Sequence, residues 1–104
     1  MKRDELLNQV KQTVREIEPE ADIILYGSRA RDDAHLESDW DFLILLDGVV
    51  DNARTDAVRH RLYEIEWNCG EVLSVIVRSR QEWDTPLHQV TPFSRVIREQ
   101  GILI

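Results

Sequence analysis

The chain has 104 residues, 42% of them hydrophobic and 32% charged, the balance of an ordinary globular protein of common domain size. Its net charge of −7, with acids spread along the whole length, argues against sequence-independent binding to nucleic-acid backbones, which needs a basic surface to displace counterions. No apolar run approaches ~20 residues, and Met1-Lys2-Arg3-Asp4-Glu5 leads straight into an amphipathic pattern, so neither a membrane span nor a secretory signal is expected. The single Cys69 cannot form an internal disulfide and fits a cytoplasmic location. A chain of this length buries roughly 60–70% of its extended surface, enough for one domain over residues 1–104 but not for a separate substrate lobe.

Leu6, Leu7, Val10, Val14 and Ile17 recur at helical spacing, which predicts a helix over Arg3 to Glu18, closed by Pro19. Ala21 to Tyr26 reads as a first strand. Gly27-Ser28 then opens a helix of one or two turns, and Asp32 to Ser38 forms a polar loop. A second strand is expected from Asp39 to Leu46, ended by an Asp47-Gly48 turn. Asp51 or Asn52 caps a second long helix, whose apolar stripe is Ala53, Ala57, Val58, Leu62 and Ile65, and which Asn68-Cys69-Gly70 breaks. Val72 to Val77 is the third strand, followed by a loop containing Pro86. Thr91-Pro92 looks like an N-cap with proline at the first helical position, opening a last helix that stops at Gly101. Ile102-Leu103-Ile104 is a short terminal strand or a packed tail. The order α-β-α-β-α-β-α predicts an α/β (α+β) fold, a small mixed sheet flanked by helices.

Two stretches carry chemistry. Gly27-Ser28 follows the apolar run Ile23-Ile24-Leu25-Tyr26, and ten residues separate Ser28 from Asp39-x-Asp41, which opens the next apolar run. Glycine lets the backbone come close to a phosphate where any side chain would block it. The N–H groups of Ser28 to Arg31, with the Ser28 hydroxyl, would then form an anion site for a nucleotide's terminal phosphates. Arg29 or Arg31 could add a charged contact. On a strand, residues i and i+2 share a face, so Asp39 and Asp41 point together and Trp40 points into packing. Two carboxylates on one face repel unless a cation lies between them, and Mg²⁺ prefers such oxygens together with phosphate oxygens and water. A lone Gly-Ser turn or a lone Asp-x-Asp is commonplace; their conjunction in this order points to nucleotide binding and to attack of a hydroxyl with loss of pyrophosphate.

These residues resemble the signature of the polymerase-β-type nucleotidyltransferase superfamily, Gly-Ser, ten residues, Asp-x-Asp. The small size is similar to that of its minimal (MNT-domain) members, often found as antitoxins beside HEPN-domain ribonuclease toxins. The resemblance is most specific from Leu25 to Leu46. It implies a mixed sheet with flanking helices, ATP as substrate, Mg²⁺ as cofactor, and AMP transfer to a hydroxyl, for the antitoxin branch a tyrosine of the paired toxin. Carried across, Gly27 and Ser28, with Arg29, take the nucleotide role, and Asp39 and Asp41 the catalytic and metal role. The chain departs from the pattern twice. Asp32 stands where many relatives have Gly. Ser74 stands where active members carry a third carboxylate that deprotonates the attacking hydroxyl, and serine is a poor general base at neutral pH. Glu71 and Glu66 are the substitutes available nearby.

Three functions follow as alternatives: an adenylyltransferase acting on a protein partner, a degenerate module that neutralises a partner by contact, and a small-molecule nucleotidyltransferase, for which no substrate-binding domain is evident. An oligomer is an accessible functional unit under the first. His35, His60 and His88 lack metal-ligand spacing, Trp40, Trp67 and Trp83 read as core or interface anchors, and Cys69 reads as structural.

Overall fold

The structure is a computed structural model that describes residues 2–31 and 39–104, with the backbone alone at Arg31. The expected loop Asp32 to Ser38, with Asp32 and His35, lies outside the described residues.

Helix α1 (Arg3–Ile17) buries Leu6, Val10 and Val14, one residue per turn along a single stripe. Asp4 and Glu5 in its first turn and Arg15 in its last complement the helix dipole. Strand β1 (Asp22–Tyr26) buries alternate residues, and Gly27 leads into a one-turn helix α2 (Ser28–Arg31). Strand β2 (Trp40–Leu46) is the most apolar of the chain and is buried on both faces from Phe42 onward. Helix α3 (Asn52–Cys69) starts on Asp51, whose carboxylate accepts from the Arg54 N–H at 2.8 Å, and ends on the left-handed Gly70. Strand β3 (Leu73–Ser79) is followed by one-turn helices α4 (Arg80–Trp83) and α5 (Pro86–Gln89), helix α6 (Pro92–Gln100) and strand β4 (Ile102–Leu103).

The four strands form one mixed sheet in the order β3-β2-β1-β4. β2 and β3 are parallel, joined across α3, whereas β1 pairs antiparallel with β2 and with β4. One sheet face, with Ile23, Leu25, Phe42, Ile44, Leu73 and Val77, packs on the buried stripes of α1 and α3. The other face holds a smaller core of Leu43, Leu45, Trp83 and Ile97, with Tyr26 and Phe93 packed against it. Asp41 lies at the end of the sheet where β1 finishes and β2 and β3 begin.

Three details differ from the sequence expectations. The stripe of α3 is Val58, Leu62 and Ile65, while Ala53 and Ala57 are exposed, since only the former three fall on the face toward the sheet. The segment around Pro86 is helical rather than irregular: Ser79 caps α4, Thr85-Pro86 opens α5, and buried Trp83 ties the segment to the sheet. Strand β2 begins at Trp40, one residue later than expected. Trp40 donates its N–H to the Val72 carbonyl at 2.9 Å, and Tyr26, the last residue of β1, already stands opposite Asp41, so Asp39 lies beyond the ends of both neighbours.

Candidate active site

The register of the sheet places three residues side by side. Asp41 of β2 is opposite Tyr26 of β1 and opposite Ser74 of β3. All three leave the sheet on the face of the smaller core, because Trp40, Phe42 and Leu73 go to the other face. Asp41 is half-buried; Asp39, two residues back, is exposed at the mouth of the strand.

Gly27 follows Tyr26 with φ of +76°, a conformation L side chains rarely adopt. Its second constraint is steric. A Cβ at this position would collide with the Asp41 carboxylate oxygen and lie 3.2 Å from Asp41 Cγ. The turn and the carboxylate are therefore in direct apposition, and only glycine permits it. The Ala30 N–H is taken by the Gly27 carbonyl at 3.1 Å, and Ser28 follows Gly27 directly as the first residue of α2.

Arg29 sits on the other side of the sheet from Asp41. Its guanidinium carbon is 4.4 Å from the centroid of the Trp40 ring, and a terminal nitrogen is 3.7 Å from the Glu71 carboxylate. Trp40 Nε1 donates to that same carboxylate at 3.1 Å, and Arg3 of α1 donates to the Arg29 carbonyl at 2.7 Å. A cation over an indole face contributes about 0.5–2 kcal/mol, more as the pair is desolvated, and here the guanidinium side chain is only 16% exposed. This cluster ties the end of the glycine turn to the starts of β2 and β3. Sequence reasoning missed it, because Trp40 and Glu71 are separated by 31 positions and neither alone carries a signal. The Arg31 side chain lies outside the described residues.

The position beside Asp41 on the neighbouring strand is Ser74, as the sequence suggested, and the two substitute carboxylates are committed elsewhere. Glu71 holds Trp40 and Arg29, and Glu66 accepts from the Leu73 N–H at 2.8 Å, fixing the start of β3. Among the described residues no group of three or more His, Cys, Asp or Glu is gathered as a metal site.

Tyr26 is a second residue the sequence reading passed over. Its ring packs edge-on against Phe93 of α6 at 5.4 Å between centroids. Burial holds the Tyr26 phenol above its ordinary pKa, the negative charge of Asp41 adds to this, and Arg78 opposes it. The phenol therefore faces Asp41 in its neutral form. Its position as the last strand residue before the glycine was the available signal.

The fit to a divalent cation can be read from the donors. Asp41 is held against a turn suited to phosphate, and an anionic phosphate beside an anionic carboxylate requires a cation between them. Asp39 adds a second carboxylate at i−2, and both offer the hard oxygen ligands that Mg²⁺ takes.

Comparison with known proteins gives the family and the fold. The family profile described as a nucleotidyltransferase domain matches residues 7–102. A structure described as a toxin-antitoxin with AMP-PNP superposes with a TM-score of 0.65 at 18% identity, covering 92% of this chain and 69% of that one. A putative nucleotidyltransferase from Sulfolobus solfataricus superposes with a TM-score of 0.57 at 24% identity, covering 95% and 76%. At these identities the superpositions show the fold, which is the mixed-sheet nucleotidyltransferase-like fold expected from the sequence. No curated protein sequence matches the chain.

Proposed function

We infer, starting from the premise that this chain belongs to the nucleotidyltransferase-domain family, that it transfers AMP from ATP to a hydroxyl of a protein partner as a single minimal domain over residues 1–104. The observation that carries the reading is the apposition of the Gly27 turn and the Asp41 carboxylate, which brings a phosphate-compatible backbone and a metal-compatible oxygen within one ligand's reach. Ser28 binds the terminal phosphates through its N–H and hydroxyl. Asp39 and Asp41 would hold Mg²⁺, which supplies neutralisation of the triphosphate and activation of the attacking oxygen. The acceptor oxygen bonds to the α-phosphorus, the bond from the α-phosphorus to the bridging oxygen breaks, and pyrophosphate leaves with that electron pair. With serine at the third position, the acceptor's proton goes to water, so rate depends mainly on alignment and charge neutralisation. Arg29 contributes to nucleotide binding by bracing the turn through Trp40 and Glu71 rather than by touching phosphate.

The partner is read from likeness. One structural neighbour is a toxin-antitoxin. We assign the acceptor to a cognate toxin, of the HEPN type that the sequence resemblance implies, with action in the cytoplasm. Calorimetric titration with ATP and Mg²⁺ tests the site: wild type binds, Asp41→Asn binds much more weakly, and equal binding by both would remove Asp41 from it.

One observation favours a second reading, in which the chain neutralises its partner by contact without turnover. Ser74 replaces the third carboxylate, and both nearby substitutes are engaged in holding strands. Under this reading Asp41→Asn still binds and inhibits the partner.

A further inference from the structure

Two of the three tryptophans are buried, Trp40 at 4% and Trp83 at 6% exposure, whereas Trp67 on α3 is 83% exposed. Tyr63, one turn earlier on α3, is 60% exposed, and Val72 at the approach to β3 is 56% exposed. Tyr63 and Trp67 border two adjoining hollows of about 150 Å³ and 320 Å³ that run along α3 beside the edge strand β3. An exposed apolar strip built on two large aromatics is unlike a solvated helix face and like the centre of an association surface.

The charges along the strip have a polarity. Arg59 lines its start, and Glu66 and Glu71 line its end. Tyr63 stands midway between Arg59 and Trp67, four residues from each. A two-fold axis through Tyr63 with α3 packed antiparallel on its own copy therefore sets Arg59 of one molecule over Trp67 of the other, twice, and faces His60 toward Glu66. The pattern is complementary to itself. A basic partner would meet Arg59 at one end and an acidic partner Glu66 and Glu71 at the other, so neither matches the whole strip. Arg59 also donates to the Val75 carbonyl at 3.3 Å, placing a guanidinium across the β3 edge. That occupies one acceptor of the β3 edge, as charged side chains do where an edge strand is guarded against strand addition.

We propose that this chain forms a symmetric dimer through the Tyr63–Trp67 face of α3, with Arg59 of each copy stacked on Trp67 of the other. The contact borders the site, because Glu71 at its acidic end also holds Trp40 and Arg29.

Sedimentation of the purified chain tests this without any other ligand. Wild type sediments at twice 12.2 kDa at about 100 µM, where a micromolar Kd leaves it paired. Trp67→Ala and Tyr63→Ala, which alter exposed side chains, retain the wild-type circular dichroism and sediment as monomers, and Arg59→Glu raises Kd about tenfold or more. A second readout needs no folded variant: on dilution of wild type the emission of Trp67 shifts to longer wavelength as it becomes solvated. A wild type that stays monomeric at this concentration, whatever other partner the face then serves, would overturn the proposal. So would a dimer that Trp67→Ala and Tyr63→Ala leave intact, or an emission spectrum that does not change as the dimer dissociates.

Discussion

Replacing Gly27 by alanine separates two effects that the structure places at one residue. Backbone strain comes first: at φ of +76° an L side chain costs about 1–2 kcal/mol, partly offset by about 0.4–1 kcal/mol from the stiffer unfolded chain. The second effect is contact, since the new Cβ would overlap the Asp41 carboxylate, which must swing away or push the turn off β1. Gly70 provides the control. It has nearly the same backbone, φ of +74°, and nothing within 4 Å of an added Cβ. Gly70→Ala therefore carries strain alone, a net loss of about 1 kcal/mol, or roughly 4–8 °C in melting temperature for a chain of this size. Gly27→Ala should lose that much and more, and should also lose nucleotide binding, which Gly70→Ala keeps. Thermal unfolding and calorimetric titration with ATP and Mg²⁺, run on both variants, read the two effects separately. Equal melting temperatures with nucleotide binding intact in Gly27→Ala would refute the apposition of turn and carboxylate.

Ser74→Asp restores a carboxylate beside Asp41 and is expected to raise the single-turnover rate of AMP transfer at neutral pH; a rate unchanged from wild type would mean that the third position is not where the acceptor's proton leaves. Trp40→Phe keeps an aromatic ring but removes the indole donor to Glu71 and part of the buried ring surface, costing about 1–3 kcal/mol in denaturant unfolding and weakening nucleotide binding through the loosened Arg29. Tyr26 carries a pH signature: its pKa is raised in the folded state, so its contribution is fully present below about pH 10 and is lost as the pH rises through the higher folded value. Unfolding measured from pH 9 upward should show this loss in wild type and a flatter profile in Tyr26→Phe.

The parts of the molecule readable in advance were those written locally. Stripes at helical spacing gave α1 and the later part of α3, the Thr91-Pro92 pair gave the start of α6, and glycine before serine gave the turn, because each depends on residues within a few positions. The place of Ser74 beside Asp41 came from the family resemblance, which puts it at the third-carboxylate position, because the apolar pattern alone does not fix the strand order. Other features are set by tertiary contacts. The clamp of Trp40, Arg29, Glu71 and Arg3 joins four separated segments. The retreat of Asp39 from the strand follows from where β1 and β3 end, not from Asp39 itself. Ala53 and Ala57 misled because alanine is tolerated on either face of a helix, and the side facing the sheet is decided by Val58, Leu62 and Ile65.

The central claim is that Asp39 and Asp41 serve AMP transfer to a protein. It is tested most directly with α-labelled ATP and Mg²⁺ in lysate of the source cells, wild type beside the Asp39→Asn/Asp41→Asn double variant. A labelled protein band present only with wild type is the predicted result, and its identification gives the acceptor. Absence of the band from a folded, nucleotide-binding wild type, or equal labelling by the double variant, would contradict the account.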